Sequence, residues 1–438
     1  MGGPHPRLGR RVGAAATLVL AASTLTACGS SGKPTLNWYI NPDGQATLTS
    51  LAERCSTDDY DIEIQLLPTG ATDQRTQLAR RLAASDSSTD LMSLDPVFVP
   101  EFASAGWLLE LPEDVASNVV DEDVLAGPAE TVTWEDGVYA APQWANTQVL
   151  WYRQSLAEAA GIAEDLEAGT ATWEQVITAA SENGATVGVQ ADRYEAYMVW
   201  INALVQGAGG EIVSNTEEGV DAEVEIDSEA GRAAATVVQQ LADSEAAQSD
   251  LSVSREGTSL GAMFAEGSPG EFMTNWTFVY KNYEPSETNT VVTEEQFEDL
   301  AWARYPRTVE GEESKPPVGG INIGVGAFTE HQDYALEAAQ CVTDPEAQLA
   351  LAVTDGLMPA RASVYDEQEL VDAYDPTLLE LFRTSVEEGG PRPKSAFYNQ
   401  ISGAIQARWH SPFDVDPETT PRESAEYLRD VLRGEALL

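Results

Sequence analysis

The stretch of sequence that decides the fold is residues 138–153, VYAAPQWANTQVLWYR. Pro142 and the polar residues after it precede an apolar run at residues 149–152 that is rich in strand-forming side chains. This order is typical of a surface segment that leads into a buried strand. If the strand crosses between two domains, Trp144 and Asn146 lie at the mouth of an interdomain cleft, where ligand sites are common. The alternative is a loop that feeds a core strand.

The length and charge of the chain limit the classes of function. Its 438 residues exceed one ordinary hydrophobic core and predict two domains. The net charge is −48, and the acidic residues are spread along the whole chain. Nucleic acid is therefore not expected as a partner, because phosphates select positively charged surfaces. The same excess weakens any argument from paired carboxylates, since acidic residues meet by chance in such a chain.

Residues 1–27 have the pattern of a signal peptide. A positive region with three arginines precedes an apolar region at residues 12–22, which is too short to span a bilayer. The sequence LTAC at residues 25–28 resembles the bacterial lipoprotein box, in which the cysteine is lipidated. Residues 28–34 would then be a lipidated tether. The lipid on Cys28 would hold the mature protein at the extracytoplasmic face of the cell membrane. The alternative is an ordinary secretory signal that contains a cysteine.

Two further cysteines remain after Cys28. An even number of cysteines in an exported protein predicts a disulfide, here between Cys55 and Cys341. Such a bond would join an early helix to a late one, so that both ends of the chain contribute to one domain. The alternative is two separate buried thiols.

The N-terminal part of the mature chain alternates strands and helices, as in an α/β domain with a largely parallel sheet. In such sheets ligands gather beyond the carboxyl ends of the strands, where Asn41, Asp43 and Asp95 lie. The alternative for each residue is a turn or a helix cap. The predicted strands are residues 35–40, 62–67 and 91–94, and the predicted helices are residues 47–54, 72–84 and 99–105.

A second α/β domain is predicted from about residue 149 to residue 317. A Gly-rich, strand-like passage at residues 318–325 and a third passage at residues 355–361 follow it. The chain would thus cross between the domains three times. The predicted elements of the second domain are helices at residues 155–160, 173–180, 195–205 and 228–242, and strands at residues 187–189 and 272–276.

The sequence carries no strong motif for catalysis, metal binding or a cofactor. Its three histidines are isolated, and the zinc, nucleophile-elbow and phosphate-loop patterns are absent. Glycoside hydrolysis needs only two carboxylates, so a secreted glycoside hydrolase is the enzyme alternative.

Ten tryptophans in an exported acidic protein favour sugar binding. The apolar C–H faces of sugars stack on indole rings, and their hydroxyls suit carboxylate, amide and guanidinium groups. The alternative for any single tryptophan is core packing. The residues that offer these groups near element ends are Asp95, Asn146, Trp276 and Arg392.

The lipoprotein box, the three crossings and the sequence GPRPKSAFY at residues 390–398 resemble the solute-binding lipoproteins of carbohydrate ABC importers, of the maltose-binding type. Further segments resemble the mycobacterial trehalose-binding lipoproteins, and together they cover essentially the whole mature chain. These segments are NTQ at 146–148, LWYR at 150–153, LD at 94–95, EFA at 101–103, AGW at 105–107, EG at 256–257, NW at 275–276, GG at 319–320, RAS at 361–363 and RP at 392–393.

The resemblance implies an α/β, two-lobed periplasmic-binding-protein type II fold with a ligand cleft between the lobes and three hinge crossings. Lobe I would comprise residues 35–148 and 318–360, and lobe II residues 149–317 and 361–438. The protein would be a monomeric, non-enzymatic receptor that delivers trehalose or a related disaccharide to an ABC permease. The alternative ligands are another oligosaccharide or a sugar alcohol.

The resemblance also implies a set of ligand contacts. Trp276 would be a stacking floor, Asn41 or Asp43 would reach in from the first turn, and Leu357 would contact the sugar from the hinge side. The alternative for Arg392 is a bridge between helices of lobe II. The residues that would bind hydroxyl groups are Asp95, Asn146, Glu256 and Arg392.

Overall fold

The structure, a computed structural model, describes residues 32–438. The predicted signal peptide, the lipidation site Cys28 and most of the tether lie outside these residues. The strands are β1 Thr35–Ile40, β2 Asp61–Leu66, β3 Leu91–Leu94, β4 Thr133–Trp134, β5 Gly137–Val138, β6 Ala140–Arg153, β7 Thr186–Gly188, β8 Val213–Ser214, β9 Glu223–Val224, β10 Glu271–Trp276, β11 Leu300–Ala303 and β12 Val318–Val325.

Helices connect most of these strands, and short 3-10 helices lie at Pro96–Phe98, Thr216–Asp221, Leu251–Val253, Ala362–Asp366 and Pro412–Asp414. The α-helices are α1 Gln45–Cys55, α2 Ala71–Ala83, α3 Val99–Ser104, α4 Glu113–Val119, α5 Ala126–Thr131, α6 Gln154–Ala160, α7 Ala163–Glu167, α8 Trp173–Glu182, α9 Glu195–Gln206, α10 Glu229–Asp243, α11 Glu256–Met263, α12 Val279–Tyr283, α13 Glu294–Glu298, α14 Gln332–Val342, α15 Pro345–Asp355, α16 Gln368–Ala373, α17 Pro376–Glu388, α18 Tyr398–Trp409 and α19 Thr420–Leu432.

Local sequence explains where several of these elements begin. The side chain of Thr172 accepts a hydrogen bond from the Gln175 amide, and the Gln175 side chain caps the Thr172 amide in return. This capping box satisfies two amides that lack partners within helix α8. Ser228 caps α10 and Asp344 caps α15 without such a reciprocal bond, because each side-chain oxygen accepts a hydrogen bond from a backbone amide of the first helical turn.

The main sheet has the strand order β2-β1-β3-β12-β6-β10-β7, with β11 paired to β6. Strand β1 is parallel to β2 and β3, which confirms the predicted parallel arrangement at this end of the sheet. Strand β12 is antiparallel to both β3 and β6. At the other end β10 is parallel to β7 and antiparallel to β6. The sheet is therefore mixed, with β6 and β12 joining two groups of parallel strands.

Strand β6 begins earlier than predicted, at Ala140. The prediction of a surface segment before residue 149 is therefore wrong. Every residue from 140 to 152 except Asn146 is buried. The polar side chains are accommodated by distant partners: Gln143 donates to the Val342 carbonyl at 2.9 Å and Thr147 donates to the Pro317 carbonyl at 2.9 Å. Pro142 lies opposite Asn322, beside a register shift in β12, where the missing N–H is tolerated.

The three passages predicted to cross between domains lie side by side. Strand β12 pairs with β6 from Thr147 to Ala140. The third passage also contacts β6, because the Ala145 amide donates to the Met358 carbonyl at 2.9 Å and Trp144 forms an isolated bridge with Pro359. Strand β6 therefore forms backbone hydrogen bonds with both other passages. The exact lobe boundaries stay a prediction.

Cys55 and Cys341 form a disulfide, which confirms the predicted pairing across 286 residues. It joins the end of α1 to the end of α14. Arg54 lies beside it, donating to the Cys341 carbonyl at 2.8 Å and forming an ion pair with Asp344 at 2.9 Å. The early helix α1 and the late helices α14 and α15 are thus fixed in one packed group.

Candidate functional site

Asn146 and Trp276 meet at Gly319. Asn146 is opposite Gly319 in the β6–β12 pairing, and Trp276 ends β10, opposite Gln148 of β6. A side chain at Gly319 would meet both residues, because its Cβ would lie 3.0 Å from Asn146 Oδ1 and 3.2 Å from the Trp276 ring. Asn146 and Trp276 are each only partly buried. An amide and an indole therefore share one accessible place where three strands converge.

Glu256 lies close to this place because its backbone carbonyl is bound by the side chain of Asn275. The buried side chain of Asn275 donates to the Glu256 carbonyl at 3.2 Å and accepts from the Trp276 amide at 2.9 Å. The Tyr194 hydroxyl donates to Glu256 Oε2 at 2.8 Å. Burial, together with the adjacent Glu256 carboxylate, raises the pKa of this hydroxyl above its usual value, so it stays a donor. One oxygen of the Glu256 carboxylate is thus held in place by Tyr194.

Asp95 and Arg392 are bonded to each other. The guanidinium of Arg392 donates to the two oxygens of Asp95 at 2.6 and 3.2 Å. It also donates to Glu195 Oε1 at 2.8 Å. Asp95 additionally accepts from the Val97 amide, so the predicted capping alternative holds alongside the ion pair. A bidentate pair of this kind has strict geometry, and only 7% of the Arg392 surface is exposed.

Glu195 is the second anchor of Arg392, at the first position of the apolar helix α9. It accepts hydrogen bonds from the hydroxyls of Tyr398 and Ser402 as well as from Arg392. Burial raises the pKa of Glu195, while the Arg392 charge and the two hydroxyls act in the opposite direction. Burial alone would lower the pKa of the Arg392 guanidinium. The nearby charges of Asp95 and Glu195 have the larger effect and raise this pKa above its usual value. The cluster is therefore a buried ionic network, in which the Nε–H of Arg392 has no hydrogen-bond partner among residues 32–438.

Asn41 and Asp43 lie together in the turn after β1. Asn41 Nδ2 donates to Asp43 Oδ2 at 2.7 Å. Asn41 is buried, whereas Asp43 keeps a solvent-exposed face. Burial of the Asp43 carboxylate by surrounding atoms raises its pKa, and the bond from Asn41 opposes the rise. A carboxylate that is both accessible and desolvated is typical of a cleft wall.

Leu357 and Trp144 are packed into one hydrophobic cluster with residues of β1 and α1. They are 4% and 3% exposed, respectively. Trp144 therefore packs in the core and does not lie at a cleft mouth, in contrast to one of the two predicted roles. The sequence of β6 does not indicate that Trp144 is buried, because both faces of this strand are covered and its side chains do not alternate between core and solvent.

The structure brings the predicted residues together in three groups of neighbours: Asn146 with Trp276 and Glu256, Asp95 with Arg392, and Asn41 with Asp43. No sequence pattern singled out Tyr194, Glu195 or Gly319 as members of these groups. An acidic residue at the start of a helix is common, so Glu195 carried no distinguishing signal. Gly319 stood out only as part of a Gly-rich strand and of one segment that carries the family resemblance. Among residues 32–438, no group of three acidic, histidine or cysteine side chains could hold a metal ion.

The fold and the comparisons with known proteins agree on the class of protein. The fold matches two-lobed binding proteins of the maltose-binding type. Maltose-bound MalE3 of T. maritima matches with a TM-score of 0.77 at 22% identity, over 92% of this chain and 100% of that chain. The GacH receptor of Streptomyces glaucescens matches with a TM-score of 0.73 at 24% identity, over 92% and 98%. A cyclic α-maltosyl-1,6-maltose binding protein from Arthrobacter globiformis matches with a TM-score of 0.69 at 17% identity, over 92% and 100%.

Residues 41–349 match the family of bacterial extracellular solute-binding proteins, and the chain belongs to this family. The chain is accordingly a binding protein, and the glycoside hydrolase alternative is set aside. In the part of the chain that the structure describes, no helix has the length and apolar character needed to cross a bilayer.

Proposed function

We propose that this protein is the sugar receptor of an ABC importer and that trehalose or a related disaccharide is its ligand. The observation that carries the proposal is the meeting of Asn146 and Trp276 at Gly319. A partly buried indole offers a stacking face, and the amide beside it offers both donors and an acceptor. Glu256, with one oxygen fixed by Tyr194, adds a carboxylate acceptor. These are the groups that a sugar ring needs on its face and its rim.

The proposed division into lobes gives the remaining groups a role in closure. Asp95 and Asn41 would belong to lobe I, and Glu256, Trp276 and Arg392 to lobe II. A ligand shifts a two-state equilibrium only by its differential affinity for the two states, so contacts from both lobes are required for closure. Lipidation at Cys28 would hold the monomeric receptor at the extracytoplasmic face of the membrane, within reach of its permease.

A maltose-type oligosaccharide is the second candidate ligand, because the matched structures include maltose-bound MalE3 and a cyclic maltosyl-maltose binding protein. Sugar alcohols are a third, since matched structures also hold ribitol and D-mannitol. The same groups of the site serve all three classes, which differ in the number of rings that can stack on Trp276.

The test is a titration of the soluble chain from residue 32 with trehalose, maltose and mannitol, followed by tryptophan fluorescence and calorimetry. We expect saturable binding of trehalose that is tighter than that of the other two. Trp276→Ala should weaken binding by roughly 5- to 150-fold, since a lost stacking contact costs on the order of 1–3 kcal/mol. Trp302→Ala is the matched control, because this partly buried tryptophan instead donates to Thr377. Equal trehalose affinity in the parent and Trp276→Ala would contradict the stacking role, and no binding of any of the three sugars would contradict the receptor function.

A further inference from the structure

Asp355 lies where the first turn meets the third passage. It is the last residue of α15, and Gly356 turns the chain with a φ of 72°. Its Oδ2 would lie 3.4 Å from a Cβ at Gly44, in the turn that carries Asn41 and Asp43. The third passage is held here by the Thr277 hydroxyl, which donates to the Gly356 carbonyl at 2.6 Å. Asp355 is therefore positioned beside the end of β10, just after Trp276.

Two hydrogen-bond acceptors at this junction are unused. Asp355 Oδ2 is buried and has no hydrogen-bond partner within residues 32–438. The same is true of Asn41 Oδ1, whose residue is 3% exposed and whose Nδ2 is bonded to Asp43. Buried acceptors normally have partners, so each unmet one requires an explanation. The unmet carboxylate oxygen at the end of α15 and the unmet amide oxygen in the turn after β1 both call for donors that come from outside the chain.

The position of Asp355 is also unfavourable for stability. A carboxylate at the last residue of a helix faces the negative end of the helix dipole. Burial raises the pKa of Asp355, and the nearby Asp43 charge adds to the rise, while a bond with the Thr47 side chain opposes it. Residues that break local rules in this way are expected at functional sites.

The chemistry of this junction selects its ligand. Asn41, Asp43 and Asp355 present acceptors, so the matching groups are O–H donors, and a sugar rim supplies several at once. An anionic ligand would be repelled by the two carboxylates. A metal ion is not the fitting occupant, because the side chains of residues 32–438 form no metal-binding group of three.

We propose that Asp355 is a further ligand-binding residue, which binds sugar hydroxyls together with Asn41 and Asp43 and makes the site reject anionic sugars. This inference rests on the proposed function and deepens it, because it defines the ligand as a neutral sugar. It also gives the third passage a direct ligand contact through a charged side chain.

The test compares Asp355→Asn with the parent by calorimetric titration of trehalose, maltose and trehalose 6-phosphate, and by thermal unfolding. Asp355→Asn should bind the neutral sugar at least about tenfold more weakly, the effect of losing a hydrogen bond to a charged group. Its melting temperature should equal or exceed that of the parent, because the substitution removes a disfavoured charge. The parent should bind trehalose 6-phosphate more weakly than trehalose, and the variant should discriminate less.

Two controls separate a ligand contact from a structural role. Asp344→Asn changes the acid at the opposite end of α15, which is paired with Arg54, and should leave sugar affinity unchanged. Thr47→Val removes the Thr47 bond but keeps the Asp355 charge. If Thr47→Val loses as much affinity as Asp355→Asn, Asp355 acts by fixing α1 and the inference is overturned.

The remaining outcomes are equally decisive. Sugar affinity of Asp355→Asn within twofold of the parent overturns the inference while the receptor function stands. Equal binding of trehalose and its 6-phosphate by the parent overturns the exclusion of anions. A parent that binds neither neutral sugar overturns the proposed function and this inference with it.

Discussion

Arg392 holds both carboxylate oxygens of Asp95, at 2.6 and 3.2 Å, although 297 residues separate the two in the sequence. The pair links the end of β3 to the segment before α18. Glu195 binds the same guanidinium from the other side. A sugar that is to use Asp95 or Arg392 must therefore share these groups with, or take them from, an existing ionic network.

Arg392→Met is expected to lower the free energy of unfolding by about 3 kcal/mol, because it leaves two carboxylates unpaired around a buried site. Urea unfolding at pH 7 measures this loss. The loss should shrink as the pH is lowered, since burial raises the pKa of Glu195 and its protonation removes one of the unpaired charges. Arg383→Met is the matched control, because its ion pair with Glu387 is far more solvent-exposed than the Arg392 pair and is worth little. Equal, small losses in the two variants would contradict the buried-network interpretation.

Glu271 should make stability depend on pH. Its carboxylate is buried, with Thr186 and Gln248 both donating to Oε2 at 3.2 Å. Burial raises its pKa from 4.5 to about 8. A raised pKa in the folded state means that the stabilising contribution is fully present below pH 4.5 and is lost as the pH rises through 8.

The variant Glu271→Gln isolates this effect, because it stays neutral at every pH. The melting temperature of Glu271→Gln relative to the parent should rise steadily between pH 5 and pH 9. Glu63→Gln, which changes an exposed carboxylate on β2, should give a flat difference. A flat difference for Glu271→Gln as well would show that the buried carboxylate does not titrate in this range.

Reduction of the Cys55–Cys341 disulfide should lower the free energy of unfolding by about 2–4 kcal/mol, since the bond closes a long loop in the unfolded chain. Urea unfolding with and without a thiol reductant measures the difference. The double variant Cys55→Ala with Cys341→Ala should be less stable than the oxidised parent and insensitive to the reductant. A reductant effect in the double variant would point to a different cause.

Gly319→Ala should weaken sugar binding by about tenfold or more while changing thermal stability little. The new methyl group would displace either Asn146 or the Trp276 ring, and both are partly accessible and free to shift. Calorimetry with trehalose and thermal unfolding provide the two readouts. Gly261→Ala is the matched control, because no atom lies within 4 Å of the added group there. Unchanged trehalose affinity in Gly319→Ala would contradict the placement of the site at this glycine.

The sequence predicted strands β1, β3 and β12 with their observed bounds, because each is an apolar or alternating run that ends at a turn. The first half of β6 could not be predicted in this way. Its polar residues are satisfied by Val342, Pro317 and, for Gln148, by Gln190, and no local pattern announces partners so far away in the chain.

The candidate site follows the same rule. Trp276 ends strand β10, where sequence reasoning locates ligand groups, whereas Asn146 lies in the middle of β6. Glu195 and Asp355 depend on which helix end meets which turn, and that is fixed only by packing. The disulfide was predictable because cysteine parity in an exported chain is a global property that needs no geometry.

The sharing of β6 between two groups of strands has a consequence for the dissection of the molecule. Residues 140–147 pair with β12, and residues 148–153 pair with β10 and β11. A fragment cut at residue 147 would carry away half of this strand and leave an open sheet edge on each piece. Neither piece is then suited to separate expression, and gene fusions or circular permutants are better opened at surface loops. One continuous strand thus carries both Asn146 and Gln148, the residue opposite Trp276.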